Sequence, residues 1–202
     1  MTGHHSGEKI VLASNNAGKV REINQLLAGE RITVAPQKEY NIPDAIEDGL
    51  SFVENAIKKA RHASGLSGLP TIADDSGIEV DELNGAPGIY SARFAGPEAS
   101  DRANMEKLLE HLREVPEERR SAHFQCLMVY MRHAEDPTPI ICQGTWDGSI
   151  LFKPRGENGF GYDPVFYVPA HDCSSAELPP EIKNRLSHRG QALRKLLQAL
   201  SQ

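Results

Sequence analysis

Thr71-Ile72-Ala73-Asp74-Asp75-Ser76-Gly77 is the stretch that decides the fold class of this chain. An apolar run of strand character ends in two adjacent carboxylates, a hydroxyl and a glycine, which predicts a short buried strand closing in a sharp turn. In an open α/β sheet the ligand site lies beyond the carboxyl ends of the strands, so the pattern places negative charge where a ligand is expected. Charge there is costly unless a cation or a hydrogen-bonding ligand neutralises it, and Mg²⁺ favours carboxylate oxygens together with substrate phosphates. A solvated turn accounts for the same residues with no ligand at all, and the flanking sequence has to decide.

Upstream, Lys9 to Ala13 is an apolar run of strand length, and Val20, Ile23, Leu26 and Leu27 then recur at helical spacing. Between them lie Ser14, Asn15, Asn16, Ala17, Gly18 and Lys19. A strand feeding a helix through small polar residues puts backbone N–H groups at a helix N-terminus, where the dipole favours an anion, and Lys19 adds a full positive charge. A phosphate is the natural guest, although an N-capped helix with a surface lysine uses the same residues. This is not a Walker A loop, because its first glycine is missing and Val20 stands where Ser or Thr would hold magnesium. Arg31 to Ala35 reads as a second strand and Pro36 to Asp48 as a polar loop carrying Glu39, Asp44, Glu47 and Asp48. Ser51 and Glu54 form a capping box for a helix whose buried face is Phe52, Ala56, Ala60 and Ala63.

Downstream, Ile78 to Leu83 reads as extended and Asn84 to Gly88 as a dense turn, followed by Ile89 to Arg93 in a rigid loop or a plain connector. Asp101 is placed to cap a helix with Met105, Leu108, Leu109 and Leu112 on its apolar side. Ala122 to Arg132 and Ile140 to Trp146 predict a hairpin, with a short strand at Ile150 to Phe152 after a turn at Asp147 and Gly148. Gly156, Gly159 and Gly161 surround Phe160 and Tyr162, so the backbone can approach a flat ligand on which an aromatic ring stacks while Asp163 accepts hydrogen bonds. A nucleobase fits, and so does an aromatic-anchored structural loop. Lys183, Ser187, His188 and Arg189 precede a final helix with Ala192, Leu193, Leu196, Leu197 and Leu200 on one side; cations at a helix start oppose the dipole, which favours a ligand there, although His188 also reads as an ordinary surface histidine.

Composition narrows the class. A chain of 202 residues with 39% hydrophobic and 25% charged residues is an ordinary globular protein with one sizeable core, or at most two small lobes sharing one. A net charge of -6 argues against a surface that coats nucleic acid. Cys126, Cys142 and Cys173 form no CxxC pair and suit reduced thiols in the cytoplasm. No apolar run approaches the roughly 20 residues of a membrane helix, so no membrane partner is expected. Met1 to Glu8 reads as a polar, disordered leader before a single domain from Lys9 to Gln202, and His4 and His5 are assigned no chemistry.

Taken together, Ser14/Asn16/Lys19, Ala73–Gly77 (ADDSG), Gly85–Arg93 (GAPGIYSAR), Gly159–Pro164 (GFGYDP) and Ser187–Gly190 (SHRG) resemble the inosine triphosphate pyrophosphatase family, also called Ham1-like, in its bacterial form. The resemblance runs from about Lys9 to about Leu200, with Ser14 keeping the hydroxyl where many members have Thr. It implies an elongated mixed-sheet α/β fold with two lobes flanking a central substrate cleft, and a homodimer. It also implies hydrolysis of deaminated purine nucleoside triphosphates (ITP, dITP, XTP) to the monophosphate and pyrophosphate, with Mg²⁺ as cofactor and Mn²⁺ as a substitute. The rival readings are a different house-cleaning nucleotide hydrolase and a nucleotide-binding protein without catalysis.

Carried over residue by residue, the resemblance implies that Ser14, Asn15, Asn16, Ala17, Gly18, Lys19 and Ser76 meet the phosphates. Glu47 and Asp75 would be metal ligands, with Asp75 also the group that deprotonates the attacking water. Phe160, Gly161, Tyr162, Asp163, Lys183, His188 and Arg189 would form the base pocket, supported by Asp74, Arg93 and Ser187. Asp74 and Asp75 both match the motif, and the family pattern is what favours Asp75.

Overall fold

The structure is a computed structural model that describes residues 9–30 and 32–201. Arg31 and the predicted leader therefore lie outside the described residues. The helices are α1 (Ala17–Leu26), α2 (Phe52–Ser67), α3 (Asp101–His111), α4 (Pro180–Leu186) and α5 (His188–Leu200). The strands are β1 (Lys9–Leu12), β2 (Thr33–Pro36), β3 (Thr71–Val80), β4 (Ser121–Met131), β5 (Ile140–Ile150), β6 (Phe166–Val168) and β7 (Cys173–Ser174). Among the described residues they form one mixed sheet in the order β2-β1-β3-β4-β5-β6-β7. The α/β class expected from the sequence is the class found.

The chain divides into two compact units, each assembled from separate stretches. The first takes the described residues through Asp75, with Leu127–Cys142 and the residues from Leu193 onward. Here β1 pairs in parallel with β2, Lys9 opposite Thr33, and with β3, Val11 opposite Thr71. Parallel strands need a crossover, and α1 supplies the one between β1 and β2. Asn16 caps α1, its Oδ1 accepting from the Lys19 amide at 3.0 Å. The capping box before α2 is present: Ser51 Oγ accepts from the Glu54 amide and donates to Glu54 Oε2. Ala56, Ala60 and Ala63 are fully buried on one side of α2, the close-packing face that their spacing requires.

The second unit comprises Ser76–Cys126 and Gln143–Ala192. Its core gathers Ile78, Leu108, Phe124, Trp146, Tyr162 and Phe166. Antiparallel pairs join β5 to β6 and β6 to β7. The buried Arg120 guanidinium donates to the carbonyls of Leu112, Ile150 and Leu151, so the end of α3 and the end of β5 share one cation. At Gly144 in β5 a Cβ would stand 2.0 Å from the His188 carbonyl oxygen, and only glycine lets the first turn of α5 lie this close.

Three sequence expectations need correction. The Asp74-Asp75-Ser76-Gly77 segment is not a turn; β3 runs through it to Val80, because both carboxylates find cations, as described below. Asp147-Gly148 is not a turn either, since β5 continues to Ile150 and its last residues, Ser149 and Ile150, pair with Tyr167 and Phe166. Ser100, not Asp101, caps α3, its Oγ accepting from the Ala103 amide at 3.2 Å, and Asp101 is the first helical residue.

Candidate active site

Successive residues of a strand point to opposite faces, and at the centre of β3 this separates two carboxylates that would otherwise repel. Asp74 turns to Lys19, with Oδ2 3.1 Å from Nζ, and Asp75 turns to Lys59, with Oδ1 2.7 Å from Nζ. Lys59 also lies 3.3 Å from Glu47 Oε1, so one ammonium draws together the two predicted metal ligands. Burial pushes the Asp75 carboxyl above the ordinary carboxylate value while Lys59 and Lys19 pull it down. Burial also works against the charge of Lys59, but Asp75, Asp74 and Glu47 outweigh it and hold the ammonium above the ordinary lysine value. In this pair Lys59 is the fixed cation, and Asp75 is the member that accepts a proton more readily than a solvated aspartate.

The loops around this cluster are tied to one another and to the start of α2. Asp44 Oδ1 accepts from Asn15 Nδ2 at 2.8 Å and from Gln37 Nε2 at 2.7 Å, which joins the turn before α1 to the acidic loop. The far end of that loop is held where Gly49 donates its amide to Asn55 Oδ1 at 2.8 Å and Leu50 donates to Glu54 Oε2. Glu47 thus sits between two anchored points. Ser14 Oγ accepts from the Asn16 amide, so the predicted phosphate turn is organised by its own side chains; Ala17 and Gly18 open the helix behind it.

A second group of side chains belongs to the second unit. Asp163 is buried and its oxygens are committed: Oδ2 accepts from the Phe160 amide at 2.8 Å and from Lys183 Nζ at 2.7 Å, and Oδ1 from Ser175 Oγ at 2.9 Å. Gly159, at φ +81°, makes this possible, because a Cβ there would lie 2.1 Å from Asp163 Oδ2. The half-buried Phe160 ring has Lys183 Nζ 5.3 Å and Arg189 Cζ 5.7 Å from its centroid, both in cation–π range. Arg189 Nη2 donates to Ser76 Oγ at 2.9 Å. His188 stacks on Phe124 with ring centroids 4.7 Å apart and planes 9° from parallel.

The remaining predicted residues fall into supporting positions. The Tyr162 ring is in the core and its hydroxyl donates to the Ser91 carbonyl at 2.8 Å, while burial drives its pKa well up; of the two aromatics, Phe160 is the one that is partly exposed. Ser187 Oγ accepts from the Gly190 amide at the start of α5. Arg93 lies over the exposed Tyr90 ring. Ser76, expected beside the phosphates, is the hydrogen-bond partner of Arg189, and Lys183 sits within α4 instead of ahead of a single helix.

A Ham1 family model matches residues 10–199. The chain belongs to the Ham1 family. A relative from Vibrio cholerae named dITP/XTP pyrophosphatase is 60% identical over 195 residues, covering 96% of this chain and 98% of the relative. One of the same name from Escherichia coli O157:H7 is 55% identical over 193 residues, covering 96% of this chain and 98% of the relative. The solved HAM1 protein of Coxiella burnetii superposes with a TM-score of 0.89 at 50% identity, covering 96% of this chain and 98% of that one. The Staphylococcus aureus Ham1 protein gives 0.84 at 42% identity, covering 96% and 98%. In this Ham1 chain the residue that sequence reasoning passed over is Lys59. The signal was present: a lysine at position 59 interrupts the stripe of Phe52, Ala56, Ala60 and Ala63 on the buried side of α2, and a lysine on such a face requires an anionic partner.

Proposed function

We propose that this protein hydrolyses ITP, dITP and XTP between the α and β phosphates, releasing the nucleoside monophosphate and pyrophosphate, and so clears deaminated purines from the nucleotide pool. The observation that carries the reading is the near full-length likeness to proteins named dITP/XTP pyrophosphatase.

The first unit supplies chemistry suited to a polyphosphate. Glu47 and Asp75 converge on one cation. That donor pair fits Mg²⁺, which is commonly held by one or two carboxylates and completed by substrate phosphates. We assign Glu47 and Asp75 as its ligands, with Mn²⁺ as a substitute; when bound, the ion neutralises charge on the triphosphate. Asp75 takes the proton of the attacking water, a contribution worth ~10²- to 10⁴-fold in rate. Lys19 and Lys59, with the capped turn at Ser14 to Gly18, offset the charge that builds as the bond breaks.

The second unit supplies chemistry suited to the base. Phe160 offers a stacking face, and His188 or Arg189 donates to the 6-oxo oxygen of hypoxanthine or xanthine. Adenine presents a 6-amino group instead, which leaves that donor unpaired in a desolvated site. We further propose a homodimer in the cytoplasm; among the described residues no helix is long and apolar enough to cross a membrane.

The test is hydrolysis of ITP, XTP, dITP, GTP and ATP with Mg²⁺, reading pyrophosphate and orthophosphate separately. Selective pyrophosphate release from ITP, dITP and XTP is expected. Orthophosphate release, or equal use of ATP, overturns the substrate assignment.

A further inference from the structure

The geometry points to Asp101 as a positioning residue for the Phe160 face, acting from α3 across 60 residues of sequence; this inference rests on the base-binding reading above. Asp101 Oδ2 accepts from the Gly161 amide at 2.8 Å. Helix starts favour acidic residues for their own sake, which is the ordinary explanation of an aspartate here. That explanation leaves the bond to Gly161 unaccounted for, since Ser100 already provides the cap.

Three consecutive residues of the glycine-rich loop are each fixed by a different segment. The Phe160 amide goes to Asp163 inside the loop, the Gly161 amide to Asp101 on α3, and the Tyr162 hydroxyl to the Ser91 carbonyl. The Asp163 anchor is buried and braced by Ser175 and Lys183. The Asp101 anchor is exposed, so it fixes the loop from its outer side. One turn further along α3, Asn104 accepts from the Ala95 amide at 2.7 Å and donates to the Ala92 carbonyl at 3.0 Å, and Lys107 donates to the Phe94 carbonyl. Residues 101, 104 and 107 share one side of a helix. That side of α3 therefore brackets two loops at once, Gly159–Pro164 and the segment that ends at Ala95. Removing Asp101 frees the Gly161 peptide to rotate and lets the pitch of the Phe160 ring vary beneath Lys183 and Arg189.

The experiment compares wild type with Asp101→Ala, Asp101→Asn and Ser100→Ala. The readouts are kcat and KM for ITP and ATP, and hydrogen exchange in the peptide containing Gly161. Loss of a hydrogen bond to a charged acceptor predicts a KM for ITP raised on the order of tenfold in Asp101→Ala, with kcat nearly unchanged, a reduced preference for ITP over ATP, and faster exchange at Gly161. Asp101→Asn keeps an acceptor oxygen and restores most of the KM; should the alanine variant fail to fold, Asp101→Ser, whose hydroxyl is too short to reach the Gly161 amide, takes its place with the same expected rise in KM. Ser100→Ala removes the cap, lowering Tm while leaving KM and Gly161 exchange as in wild type. A KM for ITP within about twofold of wild type in Asp101→Ala overturns the inference, whatever the exchange does. A wild type that does not act on ITP overturns the base-binding reading and this role together, so the two failures are distinct.

Discussion

Lys59 Nζ lies 2.7 Å from Asp75 Oδ1 and 3.3 Å from Glu47 Oε1, so a single ammonium on α2 serves two carboxylates, one from a strand and one from a loop. Side-chain exposure is 10% at Lys59 and 8% at Asp75, which makes the arrangement expensive to break from either side. Removing one member of a buried pair leaves the other without its counter-charge, at about 3–5 kcal/mol. Lys59→Met is therefore expected to lower the unfolding free energy by an amount of that order and to depress ITP turnover. Chemical denaturation checks the first effect. A Lys59→Met protein as stable as wild type removes the pair from the energetics of the fold.

Asp75→Asn leaves an amide of the same shape with no capacity to take a proton. Turnover of ITP is expected to fall by ~10²- to 10⁴-fold, with secondary structure unchanged by circular dichroism. Near wild-type kcat would remove Asp75 from the chemistry.

Ser76 Oγ receives a hydrogen bond from Arg189 at 2.9 Å. Ser76→Ala is expected to narrow the ratio of ITP to ATP kcat/KM while leaving the proton-accepting step intact, because Arg189 loses a contact that orients it. Kinetics on both nucleotides decide the matter. A fall in kcat with the ratio unchanged would place Ser76 with the phosphates instead.

Gly159→Ala forces a Cβ to within 2.1 Å of Asp163 Oδ2 at a backbone angle of φ +81°. The Asp163 bonds to the Phe160 amide and Lys183 cannot both survive this intrusion. Lower Tm and a higher KM for ITP are expected together, measured by thermal melts and steady-state rates.

His123 Nδ1 is 2.8 Å from Asp147 Oδ1, and its Nε2 is 3.2 Å from Asp81 Oδ1. The Asp147 bond, opposed by partial burial and reinforced by Asp81, holds the imidazole above its ordinary value of about 6.5. With the folded value raised, protonated His123 stabilises the fold fully below the unfolded value, and the contribution is lost as pH rises through the folded value. The Tm gap between wild type and His123→Gln should be widest near pH 5.5, roughly a unit below the unfolded value, and should close on the alkaline side. A gap that does not change with pH would show that the two carboxylates do not favour the charged ring.

What could be read in advance follows how far apart the interacting residues lie. The β1 to α1 passage, the Ser51/Glu54 box and the buried alanines of α2 are local patterns, and each is found where its spacing placed it. The Asp74-Asp75 pair reads as a turn in the sequence because its counter-charges, Lys19 and Lys59, are not its neighbours there. Without them, two adjacent aspartates before a glycine have the composition of a bend. β6 and β7, at three and two residues, are too short to show any alternation. The Asp163 anchor was legible as a polar residue beside glycines, but its partner amide at Phe160 and its brace at Ser175 were not.

The opposed directions of Asp74 and Asp75 also constrain how the gene can change length. A strand keeps its two faces by parity, so sliding β3 by one position against β1 turns one carboxylate to the other's lysine and leaves the second lysine facing a residue with no charge. A single-residue insertion or deletion between α2 and β3 that is absorbed as such a slide would either present Asp74 to Glu47 and Lys59 with Ala73 toward Lys19, or present Asp75 to Lys19 with Ser76 toward Lys59. The short Gly68 to Pro70 connection is therefore a counting device, and its length in residues, more than its composition, preserves which aspartate faces Lys59.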